Sequence, residues 1–297
     1  MSREISKTLE ICTVAACKCL CNYCGQKDLI AAYTRETGQK INFKTNLPKM
    51  SWETFTTCVN KLPIDVVLDF AGLVEPFHSD LTSDFILYGH NKGYRIRLYS
   101  TGDNLTKDAI DKIVHVPFMV TVIHMPDALG ILKVDVTDEY VSTLEYLIDK
   151  IKCLAHCFGP LHPKLNHLRN KLFIEDKKLT SEHLINRGGH VETSKLVQLD
   201  AKSRKTGKLW CKPVFQHNNG PFGKFQFNIL YSTGAVLLCC CCYGLDHILG
   251  NLTDPNTTYE SLFESDEYKR VMKGVEDESE NILCRTCDLA VPWDWKG

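Results

Sequence analysis

Three cysteines near the start of the chain have the type and spacing needed for metal chemistry. Cys17, Cys21 and Cys24 form a C-x3-C-x2-C pattern in the run ACKCLCNYCG, with Tyr23 directly before the last cysteine. A cubane iron–sulfur cluster normally takes one thiolate on each of its four irons. Three thiolates therefore predict a cluster with one open iron, which is a place for chemistry as well as for electron storage.

A zinc site is the alternative interpretation of this loop. Structural zinc takes four ligands, often from two C-x2-C pairs. Cys19 lies in the same loop and would supply the fourth thiolate. The loop alone leaves both interpretations open.

The C-x3-C-x2-C spacing with an aromatic before its last cysteine resembles the radical S-adenosylmethionine (radical SAM) superfamily. There, the amino and carboxylate groups of SAM chelate the open iron of a [4Fe-4S] cluster. An electron from the cluster then cleaves SAM to a 5′-deoxyadenosyl radical, which abstracts a substrate hydrogen. The resemblance implies that Cys17, Cys21 and Cys24 are the ligands and that Tyr23 lies against the cofactor. The cofactor carries the hard chemistry, and the protein positions it.

The composition restricts the class of protein. The 297 residues suffice for one large domain and a small one. A net charge of −1 gives no support for attraction to nucleic acid or to a membrane surface. The N-terminal segment lacks the order of a signal peptide. Fifteen cysteines without a secretion signal fit metal ligands or reactive thiols in a reducing cytosol, so we expect a cytoplasmic protein.

Hydrophobic patterns predict alternating strands and helices through the first half of the chain. The predicted strands are 4–14, 64–70, 94–100, 118–125 and 130–136, and the predicted helices are 27–36, 52–61, 79–91, 105–114 and 138–157. Such alternation is typical of a parallel α/β fold. With the resemblance, it predicts a partial (β/α)6 TIM-like barrel over residues 1–187. Cys153 and Cys157 would lie one turn apart on the last helix and belong to the core.

The pattern changes in the last third of the chain. Residues 187–210 are polar and Lys-rich and are predicted to be a linker. The runs 224–231 and 235–240 flank Ser232-Thr233-Gly234, which is typical of a β-hairpin. A helix over 258–272 follows. We therefore predict a small α+β domain over residues 188–297.

A glycine-containing segment follows the second predicted strand, at the end where parallel barrels gather their reactive groups. Radical SAM enzymes carry a Gly-rich segment here that ends in Glu, is often followed by Pro and contacts the amino group of SAM. Gly72, Glu75 and Pro76 in FAGLVEPF match that segment, and Val74 departs from it. An ordinary strand–helix loop is the alternative.

Two further strand ends resemble cofactor contacts of the family. Ser100 and Thr101 precede Gly102 in a turn like the family's Thr-Asn-Gly turn and would lie near the nucleoside of SAM. His124 ends the fourth predicted strand, where the family often places a polar residue that faces the cofactor. A hydrogen-bonded structural histidine is the alternative for His124.

A second set of cysteines resembles the SPASM/twitch extension that some radical SAM enzymes carry. Asn-Arg-Gly-Gly at 186–189 resembles the segment that opens this extension, but the C-x2-C-x5-C of full SPASM domains is missing. The shorter twitch form, with one auxiliary [4Fe-4S] cluster, fits better. The resemblance implies four ligands for it: Cys211, Cys239, Cys284 and Cys287. A zinc site of the same four thiolates is the alternative.

Cys239 begins a run of four cysteines that ends at Cys242. Side chains of a strand alternate between its two faces, so Cys240 or Cys241 could face the barrel mouth as a free thiol and return a hydrogen atom to a substrate radical, with Cys240 as the residue predicted for this role. Small buried core residues are the alternative interpretation of the run.

The reaction predicted first is a two-electron oxidation of a carbohydrate- or cyclitol-like alcohol, with the auxiliary cluster taking an electron. Epimerisation with Cys240 as hydrogen donor and peptide maturation are the alternative reactions. A non-catalytic metal-binding module is the alternative hypothesis in which the protein is not an enzyme. The sequence shows no obvious leader-peptide-binding module, which favours a small molecule over a peptide. The family implies an external one-electron donor such as flavodoxin or ferredoxin.

Overall fold

The protein is described here by a computed structural model, which covers residues 7–177, 185–191, 204–212 and 227–294. Six parallel strands lie side by side in chain order. They are β1 (Thr8–Ile11), β2 (Val67–Phe70), β3 (Arg95–Ser100), β4 (Val120–Met125), β5 (Leu154–Phe158) and β6 (Ile174–Lys177). The helices between them are α1 (Gln26–Thr37), α2 (Trp52–Val59), α3 (Thr82–Asn91), α4 (Lys107–Ile113) and α5 (Asp138–Lys150). This confirms the predicted (β/α)6 partial barrel.

The helices cover one face of the sheet, and strand alternation explains how. In β2, Leu68 points toward α3, where Gly89 approaches so closely that a Cβ on it would lie 2.7 Å from Leu68 Cδ1. The rings of Phe55 and Phe85 stack at 4.3 Å and join α2 to α3. The alternate side chains, such as Asp69, point to the opposite, concave face. That face bounds the site.

The predicted hairpin is present, but it belongs to the same sheet as the barrel. β8 (Phe227–Leu230) pairs with β9 (Ala235–Leu237) in antiparallel fashion, and β10 (Ile248–Asn251) extends the pair. β8 also pairs with β1 in parallel, so the barrel sheet continues directly into the C-terminal region. Gly234 makes the turn with φ +87°, and a Cβ there would meet Thr253 at 2.5 Å. The domain division at 187/188 stays a prediction.

A second, two-stranded sheet lies in the C-terminal region. β7 (Leu209–Cys211) pairs with β11 (Ala290–Pro292), and Cys211 lies opposite Ala290. The predicted helix over 258–272 is two elements: a 3-10 helix (Glu260–Glu264) and α6 (Asp266–Glu276). Ser265 separates them, because its backbone is extended and its hydroxyl accepts a hydrogen bond from the Tyr268 amide to begin a new helix.

The helix predicted over 138–157 is wrong at its C-terminal end. α5 begins as predicted, with the Thr137 hydroxyl as its N-cap, but it ends at Lys150. The next residues, IKCLAHCF, satisfy both a helical and an alternating pattern, and parallel pairing with β4 and β6 decides for a strand. Cys153 therefore precedes β5 and Cys157 lies within it, although both are buried.

The strand predicted over 130–136 is also wrong. The buried Asp127 carboxylate accepts hydrogen bonds from the amides of Leu129, Ile131 and Leu132 at 2.8–3.1 Å, which folds the segment into a loop. The Asn22 amide donates to Ile131 O at 3.4 Å, so this loop supports the cysteine loop. A backbone engaged by a side chain in this way is not available to a sheet.

Some predicted features extend beyond the described residues. These are positions 4–6 of the first predicted strand, 192–203 of the linker and 224–226 of the hairpin. None of the helices in the described ranges has the length and apolar character needed to cross a membrane.

Candidate active site

A cavity of about 460 Å³ opens at the carboxyl ends of the parallel strands. The loops after β1 and β2 and the ends of β3 and β4 form its wall. Six of the seven cofactor-contacting residues predicted from the sequence line it, namely Tyr23, Gly72, Glu75, Ser100, Thr101 and His124. In the described part of the chain, these six residues are far apart in sequence but lie together at the end of the sheet where parallel folds bind ligands.

The three predicted cluster ligands, Cys17, Cys21 and Cys24, lie on this wall. Gln26 fixes the loop that carries them. Its Oε1 accepts from the Cys17 amide at 2.7 Å, and its Nε2 donates to Leu73 O at 2.5 Å and to Cys24 Sγ at 3.5 Å. One buried side chain therefore holds the cysteine loop against the glycine segment.

The spacing of the thiols distinguishes a cluster from a single ion. Within the described ranges, the set whose ligand atoms all lie within 4.8 Å of one another is Cys17, Cys19 and His78. Cys21 and Cys24 lie outside that set. The Cys19 thiol donates to Asp103 Oδ2 at 3.4 Å, and the same oxygen lies 2.7 Å from His78 Nε2. Three thiols spread around a cavity fit a multi-iron cluster better than a tetrahedral zinc ion.

Glu75 joins the ends of β2 and β3. Its carboxylate accepts from Ser100 Oγ at 2.7 Å, from the Thr101 amide at 2.6 Å and hydroxyl at 2.8 Å, and from the Phe77 amide at 3.2 Å. Four donors occupy the lone pairs of one carboxylate. The predicted Gly–Glu segment and the predicted Ser–Thr turn are therefore one hydrogen-bonded unit.

Gly72 and Pro76 have different places in this segment. Gly72 has φ +84°, and a Cβ there would lie 2.9 Å from Cys12 Sγ, so the tight turn requires glycine. Pro76 begins a 3-10 helix (Pro76–His78) and is absent from the cavity wall. Its carbonyl accepts from the hydroxyl of Thr13 at 2.7 Å. Pro76 thus shapes the segment from behind.

Tyr23 and His124 are in contact on the wall of the cavity. The Tyr23 hydroxyl lies 3.0 Å from His124 Nδ1, and His124 Nε2 is buried with no partner among the described residues. Burial, followed by the neighbouring His156, lowers the pKa of His124 well below its ordinary value. His124 is therefore neutral and presents one unsatisfied nitrogen, which suits a hydrogen bond to a ligand.

A second, smaller cavity of about 60 Å³ contains the C-terminal cysteines. All four predicted auxiliary ligands, Cys211, Cys239, Cys284 and Cys287, line it, together with Cys240 and Cys241. The rest of its wall is apolar, from Leu209 and Trp210 to Leu289 and Ala290. Within the described ranges these thiols do not form a set compact enough for one ion. A buried apolar cage of thiols fits an iron–sulfur cluster.

The thiols of this cage interact across the chain. Cys287 Sγ lies 3.9 Å from Cys241 Sγ, and Cys239 Sγ lies 3.9 Å from Cys242 Sγ. The Cys241 thiol, against the opposing effect of burial, lowers the pKa of Cys287 to about 7. Metal clusters bind thiolates, so a lowered pKa favours ligation.

Two residues, Cys240 and Phe227, lie on the walls of both cavities. Arg187 Nη1 donates to Cys240 Sγ at 3.9 Å from the side of the larger cavity. The two sites are therefore separated by one layer of side chains, which is a short path for an electron.

Comparison with known proteins shows which solved structures share the fold of this chain. No family model matches the sequence, and no curated protein sequence matches it. Among solved structures, BtrN in complex with AdoMet and 2-DOIA matches 95% of this chain and 93% of its own, with 14% identity and a TM-score of 0.57. The anSMEcpe structure with bound AdoMet matches 88% and 82%, with 14% identity and a TM-score of 0.54. Both neighbours are radical SAM enzymes.

This chain shares the fold of BtrN and anSMEcpe. At these identities the similarity is one of fold. It accounts for the place of the cysteine loop after β1 and of the glycine segment after β2, on one wall of the cavity. The C-terminal antiparallel strands are the part that fits an auxiliary domain.

Sequence reasoning missed several residues of the larger cavity. They are Glu10, Asp69, Arg97, Tyr99, His156, Arg187 and Tyr243. Tyr243 lies close to the cluster loop, with its hydroxyl 3.3 Å from Cys24 Sγ. The available signal was an acid in the middle of each of two otherwise apolar strands, TLEI and VLDF.

Proposed function

We propose that this protein is a radical SAM enzyme that abstracts a hydrogen from a small alcohol and completes a two-electron oxidation. The observation that carries the proposal is the cavity wall itself. Three cysteines after β1, the buried carboxylate of Glu75 after β2 and the neutral His124 at the end of β4 converge there from three different strand ends. The fold of BtrN and anSMEcpe, each solved with AdoMet, supports the assignment.

A [4Fe-4S] cluster and SAM would supply one-electron cleavage to a 5′-deoxyadenosyl radical. Cys17, Cys21 and Cys24 would hold the cluster, as the donor set requires. Because Glu75 is occupied by the donors of Ser100, Thr101 and Phe77, its role is to shape the two turns beside SAM. The carbonyls of the glycine segment would then accept from the ammonium group of SAM.

The second cavity supports oxidation as the outcome. Cys211, Cys239, Cys284 and Cys287 would hold an auxiliary cluster with every iron ligated, which suits electron transfer. Among the described residues, Cys240 and Phe227 line both that cage and the larger cavity. An electron leaving the substrate would have a short path to it.

The wall of the larger cavity supports a polyhydroxylated substrate. The wall carries hydrogen-bond acceptors on Glu10 and Asp69 and donors on Arg97 and Arg187. Hydroxyl groups both donate and accept, so a carbohydrate- or cyclitol-like alcohol fits this mixture of donors and acceptors better than a phosphate or a carboxylate. The neighbour BtrN was solved with 2-DOIA, whereas a second anSMEcpe structure holds the Cp18Cys peptide.

An experiment with solvent deuterium tests the proposed outcome. The reconstituted protein would be given SAM, a reductant and a panel of polyols in deuterium oxide without oxygen. Oxidation predicts a carbonyl product with no solvent deuterium on carbon. Including serine- and cysteine-containing peptides in the panel tests the other substrate class. A product that carries one solvent deuterium on carbon, or turnover of the peptides alone, contradicts the proposal.

Epimerisation is the second candidate, because one observation favours it. The Cys240 thiol reaches the larger cavity and lies beside Arg187, where it could return a hydrogen atom to a substrate radical. In that case Cys240→Ala would abolish the solvent-deuterium product and leave 5′-deoxyadenosine formation in place. Under the oxidation proposal, the same variant would still give the carbonyl product.

The proposal carries a partner and a compartment with it. Cleavage of SAM consumes an electron, which an external carrier such as flavodoxin or ferredoxin would provide. Exposed iron and fifteen cysteines call for a reducing interior, so we place the protein in the cytoplasm. No nucleic-acid or membrane partner is part of the proposal.

A further inference from the structure

Two acids and an arginine lie at one level on the concave face of the sheet. Glu10 in β1 is in register with Asp69 in β2, and Asp69 is in register with Arg97 in β3. Paired residues of neighbouring parallel strands lie about 4.8 Å apart and point to the same face. All three line the larger cavity. The sheet therefore presents a polar row to whatever lies beneath SAM.

Asp69 is the member of this row whose side chain has an unsatisfied hydrogen-bond acceptor. Its side chain is buried, with 5% of the residue exposed, and Oδ1 has no hydrogen-bond partner among the described residues. An unsatisfied buried oxygen is costly unless a ligand completes it. The cavity is on its open side, so the missing partner belongs to the substrate.

The setting of Asp69 also suits proton transfer. Burial raises the pKa of Asp69 to about 7, and Arg97 opposes the rise. The charged and titratable groups that face it are Glu10 from β1 and Arg97 and Tyr99 from β3. A base whose pKa lies near the working pH both exists in its active form and holds the proton it takes.

We propose that Asp69 is the general base that accepts the hydroxyl proton of the substrate as the alcohol is oxidised. The inference rests on the proposed function. The C–H hydrogen leaves as an atom to the 5′-deoxyadenosyl radical. The O–H bond then breaks and its proton goes to the Asp69 carboxylate. An oxidised auxiliary cluster held by the C-terminal cysteines would be the acceptor for the remaining electron. A C=O bond forms, and the charges balance.

Glu10 and Arg97 act as positioning residues for this base. Arg97 stabilises the carboxylate form of Asp69 from the neighbouring strand. Glu10 lies in register on the other side of Asp69, so the base stands between two side chains of the same row. Neither needs to touch the reacting hydroxyl.

The test uses the reconstituted holoprotein, SAM and a panel of carbon-deuterated polyols that carry no carbonyl of their own, such as myo-inositol and methyl glucosides. Three quantities are measured: total 5′-deoxyadenosine, deuterium in the 5′-deoxyadenosine, and carbonyl product trapped by a hydrazine. For Asp69→Asn we expect deuterium transfer to continue while carbonyl product per transferred deuterium falls about 100-fold, the size of a lost general base. Asp69→Glu should restore part of it.

One control variant and a pH profile make the result specific. Asp65→Asn changes an exposed acid just before β2 that pairs with Lys7, and it should leave all three quantities unchanged. In the wild type, carbonyl formation should rise with pH through about 7, because only the ionised carboxylate accepts a proton. Arg97→Gln should move this midpoint to higher pH, since it removes the charge that favours the carboxylate.

The outcomes separate this inference from the proposed function. If the wild type forms no 5′-deoxyadenosine, the radical SAM proposal fails. If it forms 5′-deoxyadenosine but no polyol transfers deuterium, polyol oxidation fails and the role of Asp69 fails with it. If Asp69→Asn gives the wild-type ratio of carbonyl to deuterium, Asp69 is not the base although the enzyme is a dehydrogenase.

Discussion

Glu75 illustrates what a single residue does in this site. The motif resemblance implies that it contacts SAM, whereas its carboxylate is occupied by Ser100, Thr101 and Phe77. Both of its oxygens face a backbone amide as well as a hydroxyl. The charge of Glu75 therefore organises two turns that come from different strands.

Replacing Glu75 by Gln tests this role. Whichever way the amide is turned, its NH2 group faces a backbone amide donor, so a buried hydrogen bond is replaced by a repulsive contact. We expect the free energy of unfolding to fall by about 1–3 kcal/mol. Urea unfolding measures it, with the exposed Glu264→Gln as control. Equal stability of the two variants would show that the Glu75 network contributes little.

The candidate residues differ in how far the sequence predicts them. The cysteines were predictable because ligand spacing is a local property of the chain. Asp69 was not, because one acid in VLDF does not show which face it occupies or what opposes it. That information comes from the register of three strands whose residues lie far apart in sequence.

At the scale of elements, His190 joins three segments around the cysteine loop. Its Nδ1 lies 2.7 Å from Asp28 in α1, and its Nε2 lies 3.1 Å from Asp246, which follows the cysteine run. Burial opposes the imidazolium, but the hydrogen bonds to Asp246 and Asp28 outweigh it and raise the pKa of His190. The same contact lowers the pKa of Asp246.

This clasp predicts a pH dependence of stability. Because the pKa of His190 is raised in the folded state, its contribution to stability is fully present below the unfolded pKa of about 6.5. That contribution is lost as the pH rises through the folded pKa. The lowered pKa of Asp246 contributes stability that is fully present above the unfolded pKa of about 3.9. This contribution is lost as the pH falls through the folded pKa of Asp246. The free energy of unfolding of the wild type should therefore fall between about pH 6 and pH 9 as the His190 contribution is lost. In His190→Gln this fall should be smaller, as measured by urea unfolding at the two pH values. Parallel curves for wild type and variant would contradict the clasp.

Arg285 is the corresponding clamp of the second cavity. It is fully buried, and its guanidinium donates to the carbonyls of Lys205, Gly207, Gly274 and Asp277. These carbonyls belong to the segment before β7 and to the end of α6. The turn that carries Cys284 and Cys287 is thereby fixed to both.

Substituting Arg285 by Lys removes the planar fork and leaves carbonyls unpaired. We expect a loss of about 2 kcal/mol in unfolding free energy and of about four irons from the reconstituted protein. Iron analysis and urea unfolding measure the two effects. Arg204→Lys, an exposed arginine of the same segment, is the control. Full iron content in Arg285→Lys would show that the clamp does not serve the second site.

The predicted strands show which parts of the fold the local hydrophobic pattern predicts correctly and which it does not. Strands β1 to β4 were predicted within a few residues because their apolar runs are bounded by clear turn signals. β5 was assigned to a helix because IKCLAHCF fits two periods, and only pairing between β4 and β6 selects one. The loop around Asp127 was assigned to a strand because side-chain capture of backbone amides leaves no periodic trace.

At the scale of the whole molecule, two thiol-lined cavities share one wall. The barrel sheet continues through β8 and β9 to the cysteine run, so the hairpin brings the C-terminal cage against the barrel mouth. Two cavities in series suit chemistry that makes a radical in one and removes its electron through the other. A separate, distant C-terminal domain would not give this continuity.

The most direct measurement is 5′-deoxyadenosine formation. The protein would be reconstituted with iron and sulfide without oxygen, reduced and given SAM, beside a Cys17→Ala, Cys21→Ala, Cys24→Ala variant. Cys19→Ala is the matched control, because Cys19 lies in the same loop but bonds to Asp103. We predict product from the wild type and from Cys19→Ala, and none from the triple variant. No product from a wild type that holds its full iron would contradict the account and leave a metal-binding or electron-carrying protein.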